Sequence, residues 1–391
     1  MSSRPPPAFG TPRRICAFAR LWEPGLGDFF QRNIFLALLR RALPDAAVTH
    51  VVGSHVAARF AGFLAEHSYA TAVLTCPDPG DDDRRRWEAF TAKIRSYEFD
   101  ACVVDPDSRR LGARIAARCG IPTRIGFVTG TDEDAQLTVP IRIERPVFGR
   151  PDLFDYASGL AAALGLDPVR PADVVPPFRY RPEPVEVPPA PAVAIHPGGA
   201  KHWNRRWPFE HYVQLCGRLA ADCGAGFVLL GSADEAGDLA ELAGAIGAVA
   251  PGASVRVSSG ESLHRLASLV AACDVLVGGD SAPAHLAAAV RTPSVVLYGP
   301  TMTEFMWTRV YPRHHGVNRG YDCQRVRNIP RGAGATTMPC RYSCHYPYAG
   351  PAGPYPRCLS DIGVDEVVQA VTRVLGLTTR SNGARAVGAQ P

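Results

Sequence analysis

Two doubly wound α/β domains are the fold class this sequence predicts, and three observations predict it. Short apolar runs alternate with helix-period segments along nearly the whole chain, which implies parallel sheets covered by helices on both faces. The alternation stops at one proline-dense stretch, residues 176–192, and then restarts. At 391 residues the chain also exceeds what a single hydrophobic core usually organises.

Taken in order, residues 1–12 are rich in proline and small residues without periodicity and read as a flexible tail. The first domain, 13–180, carries buried-strand patterns at 13–20, 46–53, 71–76, 100–105 and 123–128, separated by helix patterns at 28–42, 55–67, 83–97 and 108–119. Proline density at 181–191 forbids regular structure and makes an extended linker. The second domain, 192–363, repeats the alternation. Its strands read at 192–197, 226–232, 254–259, 274–280 and 294–300, and its helices at 208–222, 234–247, 261–272 and 281–290. A closing helix at 364–377 and a second flexible tail at 378–391 complete the chain. In open parallel sheets ligands sit beyond the carboxyl ends of the strands, so a cleft between the two domains is the expected site.

Composition narrows the function. Apolar residues at 46% and charged ones at 20% are ordinary for a soluble globular protein. A net charge of +5, with arginines scattered rather than striped, excludes a general nucleic-acid binder and suits an anionic small ligand. Of 42 Lys plus Arg only Lys93 and Lys201 are lysines, so individual arginines carry little weight and Lys201 more. Most of the eleven cysteines sit in apolar runs as reduced thiols, which together with the absence of a signal-peptide core or a bilayer-length run predicts a cytoplasmic protein. Cys323, Cys340, Cys344 and Cys358 give no clean zinc spacing, leaving structural zinc, a disulfide or free thiols open.

Four strand-to-helix turns carry chemistry. In "EPGLGDFFQRN" Gly27 permits close approach of a ligand, and Asp28 reads either as a helix cap or as a general base at the cleft. In "PGGAKHWNRRWP" Gly199, Lys201 and Arg205 form either a solvated basic loop or a cationic wall of an anion site. "GSADE" offers Glu235 to a ribose or only to the helix dipole. "VGGDSAPAHLAAAV" places Asp280, Ser281 and Ala282 at a helix start whose N–H groups suit a diphosphate, with His285 on the first turn. A Ser281–His285 hydrolase pair lacks the G-x-S-x-G elbow and a third group. The "DPD" at 105–107 resembles a metal-holding D-x-D but offers too few ligands, and no catalytic metal or cofactor is expected. Arg20, Arg109, Arg110 and Arg124 are candidate acceptor contacts at strand ends.

In order, these motifs resemble glycosyltransferase family nine, the heptosyltransferase-like enzymes, over residues 14–375. "GLGDFFQRN" is similar to the family's opening loop and helix, "HPGGAKHWNRRWPFEHY" to its basic loop, "LLGSADE" to its ribose turn, and "GGDSAPAHLAAAVRTPSVVLYGPT" to its D-S-G-x-x-H diphosphate segment. The resemblance implies a GT-B fold of two Rossmann-like domains facing across a cleft, with Asp28 as catalytic base. It further implies an ADP-linked sugar donor, the best-known one ADP-heptose, held by the second domain and a hydroxyl-bearing saccharide or natural-product acceptor held by the first. Transfer would be inverting and metal-independent. Arg205 stands where the family usually has lysine, and Ala282 where it has glycine. The rival readings are a non-catalytic nucleotide-sugar-binding subunit and a nucleotide-sugar hydrolase or epimerase on the same fold.

Overall fold

The computed structural model describes residues 10–18, 25–78, 81–106, 109–143, 151–198, 205–299, 311–321, 347–350 and 353–376. Strands Arg14–Phe18 (β1), Ala47–Gly53 (β2), Ala72–Cys76 (β3), Ala101–Val104 (β4), Thr123–Phe127 (β5) and Val139–Ile141 (β6) make one parallel sheet in the order β3-β2-β1-β4-β5-β6. Strands Ala192–His196 (β7), Gly226–Gly231 (β8), Val255–Ser259 (β9), Val275–Gly279 (β10), Ser294–Leu297 (β11) and His314–Val317 (β12) make a second, ordered β12-β11-β10-β7-β8-β9. Counted from its own first strand, each sheet has the order of the dinucleotide-binding doubly wound fold. The direction of winding reverses between β1 and β4 in one sheet and between β7 and β10 in the other. Those two points are where such sheets leave a crevice for ligand.

The helices of the first half are Leu26–Ala42 (α1), Ser54–Arg59 (α2), Ala61–His67 (α3), Arg84–Ser96 (α4), Arg109–Arg118 (α5) and Leu153–Ala163 (α6). Those of the second half are Phe209–Cys223 (α7), Ala236–Val249 (α8), Leu263–Ala272 (α9), Ala282–Ala289 (α10), Arg357–Ser360 (α11) and Val364–Val374 (α12). A small hairpin, Pro347–Gly350 (β13) with Gly353–Pro356 (β14), precedes α11.

Every strand expected from the apolar runs forms. The helix expected over 55–67 is instead two, because Phe60 leaves helical geometry (φ −119°) and turns its ring onto Phe29, 5.1 Å away. Three elements carry no clear sequence pattern. The edge strand β6 is three residues long and contains Pro140, a residue tolerated only where no ladder bond is required. Helix α6 is capped by Asp152, whose carboxylate accepts from the Asp155 N–H at 2.9 Å. Edge strand β12 is half histidine and half-exposed. Residues 378–391, and all but the last three of 1–12, lie outside the described residues.

One face of the first sheet is covered by α1 and α6, through Ile34, Phe35, Leu38, Leu39, Leu153 and Leu160. The other is covered by α4 and α5, through Phe90, Ile94, Ala113 and Ala116. In the second sheet Leu215, Leu242, Ile246 and Val371 of α7, α8 and α12 cover one face. A further cluster belongs to both halves: Phe29 and Phe30 of α1 and Phe63 and Leu64 of α3 pack with Leu269 of α9 and Leu286 of α10. The proline-dense stretch joins that cluster through Phe178, Tyr180, Val185 and Val187. It is irregular, as expected, but it is packed down rather than held out as a spacer.

Candidate functional site

Helix α1 is the centre of the site. Three consecutive polar residues, Gln31, Arg32 and Asn33, are buried on it, because the helix runs along the seam between the halves and has no face left for water. Each is matched to a different neighbour. Asn33 Nδ2 donates to the carbonyls of His67 (3.0 Å) and Pro177 (3.3 Å). Arg32 Nε lies 3.1 Å from the Asp105 carboxylate, both side chains 1% exposed. Gln31 Nε2 lies 3.4 Å from His285 Nε2 on α10.

That last contact closes the cleft at one point. A Cβ on Gly27 would fall 2.7 Å from His285 Cδ2 and 3.6 Å from Ala282 Cα, so only glycine lets the Asp28 turn lie against α10. Asp28, next along the chain, is half-buried in the first turn of α1, with its carboxylate folded over Gly25. The His285 ring is fixed by the Tyr311 hydroxyl, 3.1 Å from Nδ1. Burial holds its pKa below the ordinary histidine range, while Asp280 and Asp28 pull the other way, so near neutral pH it is an uncharged ring.

At the switch point of the second sheet, Ser281 caps α10 without bonding its own helix. Its Oγ donates to Gly279 O (3.2 Å) and meets His196 Nδ1 at 3.1 Å. Ser281 therefore pairs with His196 at the end of β7 and not with His285, which removes the Ser281–His285 pairing weighed from the sequence. Burial keeps His196 below the ordinary histidine pKa, against the pull of Glu235. Glu235 ends a short 3-10 turn, Ala233–Glu235, and its Oε2 accepts from Ser232 N (2.8 Å) and Oγ (2.9 Å). Partial burial opposes its ionisation, but those two donors together with His196 and Arg206 hold it below the usual carboxylate range. Its other oxygen fills the space above Gly198, where a Cβ would come within 2.0 Å.

The basic loop is anchored beside this point. Trp207 is buried, with Nε1 donating to Ile362 O at 3.0 Å. The Arg205 carbonyl lies 3.1 Å from where a Cβ on Gly279 would be, so the end of β10 and the loop approach closely. Arg206 reaches Asp238 at 3.2 Å and Glu235 at 4.0 Å. Gly199 and Lys201 lie outside the described residues, as does Arg20.

Two sequence expectations are corrected. Arg124 sits at the amino end of β5, away from the carboxyl ends that face the cleft, and its guanidinium donates to Gln136 O and Ile121 O, both at 2.5 Å. It staples the β5–β6 edge and is not brought to the site. Asp105 is a buried partner of Arg32 rather than an open arm of a metal-binding D-x-D. Arg109 and Arg110 open α5 after β4, and nothing is described of their side chains. Cys358 is buried, while Cys323, Cys340 and Cys344 lie outside the described residues.

Among the described residues one His/Glu cluster has the composition of a metal site: Glu66, His67 and His264. His264 Nδ1 accepts from the Arg181 N–H at 3.0 Å, so its proton sits on Nε2 and is donated to Glu66 at 2.8 Å. The lone pair a cation needs is therefore taken. The cluster is a hydrogen-bonded seam joining α3, α9 and the linker.

The architecture is GT-B: two doubly wound sheets with their switch points turned to one seam. The structure of the E. coli ADP-heptose lipopolysaccharide heptosyltransferase II superposes with a TM-score of 0.60 at 20% identity, covering 93% of this chain and 98% of that one. A family 9 glycosyl transferase from Veillonella parvula gives 0.61 at 17% identity, covering 93% and 97%. E. coli heptosyltransferase WaaC with ADP gives 0.57 at 18%, covering 92% and 97%.

Residues 87–328, well over half of the chain, match the model of glycosyltransferase family 9 (heptosyltransferase), and the chain belongs to that family. Lipopolysaccharide heptosyltransferase 2 of Escherichia coli (strain K12) is 35% identical over 117 residues, 29% of this chain and 33% of that protein. The lipooligosaccharide heptosyltransferase 2 of Haemophilus influenzae is 31% identical over 115 residues, 29% of this chain and 33% of its own length. The chain thus matches about a third of the length of these curated relatives. Sequence reasoning missed His196, Gln31 and Tyr311. The signal for the first was a histidine closing a buried strand before two glycines, and for the second a polar trio inside an apolar helix.

Proposed function

We propose that this protein transfers a heptose from an ADP-linked donor to a hydroxyl of a saccharide or natural-product acceptor, with inversion and without a metal. The carrying observation is the contact of Gly27 with His285 and Ala282. It brings the turn that carries Asp28 in one half against the α10 start of the other, which supports Asp28 as the base. Membership of the heptosyltransferase family and the ADP-heptose enzymes among its fold relatives support the donor.

In this reading the Asp28 carboxylate takes the proton of the acceptor hydroxyl as that oxygen bonds to the anomeric carbon. The bond from that carbon to the diphosphate breaks on the opposite face, and its electron pair leaves on the phosphate oxygen. Lys201, Arg205 and the N–H groups of Ser281 and Ala282 offset the charge that develops there, and Glu235 receives the donor's ribose. Gly199 gives the basic loop its close approach to the donor. Asp280 and His285 line the donor side through α10. Gly27, Arg20 and Arg109 are assigned to the acceptor in the same reading.

The test is ADP release from ADP-heptose with a panel of hydroxyl acceptors. Asp28→Asn should fold with an unchanged melting temperature and lose about a hundredfold or more in transfer rate. A loss of only a few-fold would remove Asp28 as the base. Free heptose produced without acceptor would favour hydrolysis instead.

A further inference from the structure

The Ser281 hydroxyl is the feature the proposed chemistry leaves unexplained. A serine at a helix start normally accepts from an N–H of the first turn. Here Pro283 has no N–H to give, the Ala284 N–H bonds back to Ser281 O at 3.0 Å, and the serine side chain makes no cap bond. The hydroxyl is turned instead to the sheet, between Gly279 O and His196. The Gly279 carbonyl can only accept, so with the single hydroxyl proton given to it the 3.1 Å contact with His196 is made by an Nδ1–H, and that tautomer is part of the assignment that follows.

We propose that His196 is a positioning residue for the donor diphosphate: its Nδ1–H holds the Ser281 hydroxyl against the sheet, which keeps the start of α10 open to an anion. The inference rests on the transferase reading above and assigns a role to a residue which that reading left without one. His196 is tightly packed. It is buried at the end of β7, and Gly278 of the neighbouring strand lies so close that a Cβ there would be 2.8 Å from His196 O and 3.2 Å from His196 Cβ. A side chain held in this way transmits a fixed direction to the serine. With Ser281 drawn back, the Ser281 and Ala282 N–H groups are the donors left at the helix start, since the next residue is proline.

The test is the affinity for ADP without acceptor, read by calorimetry, with donor KM and kcat of transfer read beside it. His196→Leu should weaken ADP binding about tenfold, the size of one hydrogen bond. Ser281→Ala should do the same, and the double variant should be no worse than either, because both remove one contact. His196→Asn, whose amide N–H falls near Nδ1, should recover affinity to within about threefold of the wild type. The acceptor KM should not move in any of them. A filler of the core would give a different result: Leu and Asn would lower the melting temperature and affinity together. Equal losses in Leu and Asn, or additive losses in the double variant, overturn the inference. If His196→Leu does not fold, the isosteric Ser281→Ala decides, since unchanged ADP affinity there overturns it equally. Wild-type protein that binds ADP while His196→Leu binds it as well sinks this inference alone, whereas wild type that binds no ADP sinks the donor reading with it.

Discussion

Gly27 shows how a single missing methyl group sets the site. The sequence gives only its type and its place before a helix, which suits ligand approach. Folding reveals that the space is taken by His285 from the other half of the chain. Gly27→Ala must push a ring held by the Tyr311 hydroxyl, and overpacking of this kind costs about 1–3 kcal/mol. We expect a lower midpoint in urea and a transfer rate that falls with it, because Asp28 moves with the same turn. A variant as stable and as active as the wild type would mean that the seam opens at no cost. Asp28, Glu235, Ser281 and His285 were legible as candidates, since each sits on a strand-to-helix turn. His196 was not, because its partner lies 85 residues away in sequence.

Helix α1 was legible as a helix but not as the hub of the molecule. Its apolar residues run on every side, and a helix buried all round carries little amphipathic signal. Burial on every side also makes its polar residues costly unless matched, and Arg32 with Asp105 is the extreme instance. Removing one member of such a pair typically costs about 3–5 kcal/mol, whereas replacing both by apolar groups is often close to neutral. Arg32→Met should therefore destabilise strongly in urea melts, and Arg32→Met with Asp105→Leu should recover most of the loss. A double variant as weak as the single would show that Arg32 works through its other contacts. Two of the elements the sequence missed, β6 and β12, are sheet edges. Edge strands are short and half-solvated, so they lack the apolar run that marked their neighbours.

At the scale of the whole molecule, buried histidines set its response to acid. Burial lowers the pKa of His67, His196 and His285, and pushes that of His314 down to about 4. The unfolded chain takes up protons from about pH 6.5 downward while these rings do not, so stability falls as pH falls through that range. For His314 alone the difference amounts to about 3 kcal/mol once the pH is below its folded value. Glu66 and Glu235, whose folded pKa values are lowered, add stability that is lost only further into acid, through their folded values. The melting temperature should hold near neutrality and drop steadily from about pH 6.5 to 4; no change between pH 7 and 5 would contradict this account. By itself the sequence determined the repeated strand–helix alternation, because apolar period is a local property of the chain, and with it the positions of the strand-to-helix turns. Only the tertiary structure decided which turns meet, that Arg124 staples an edge while His196 meets Ser281, and that α1 and the linker pack into one cluster shared by the halves. Those outcomes depend on packing between residues far apart in the chain, where no local pattern records the partner.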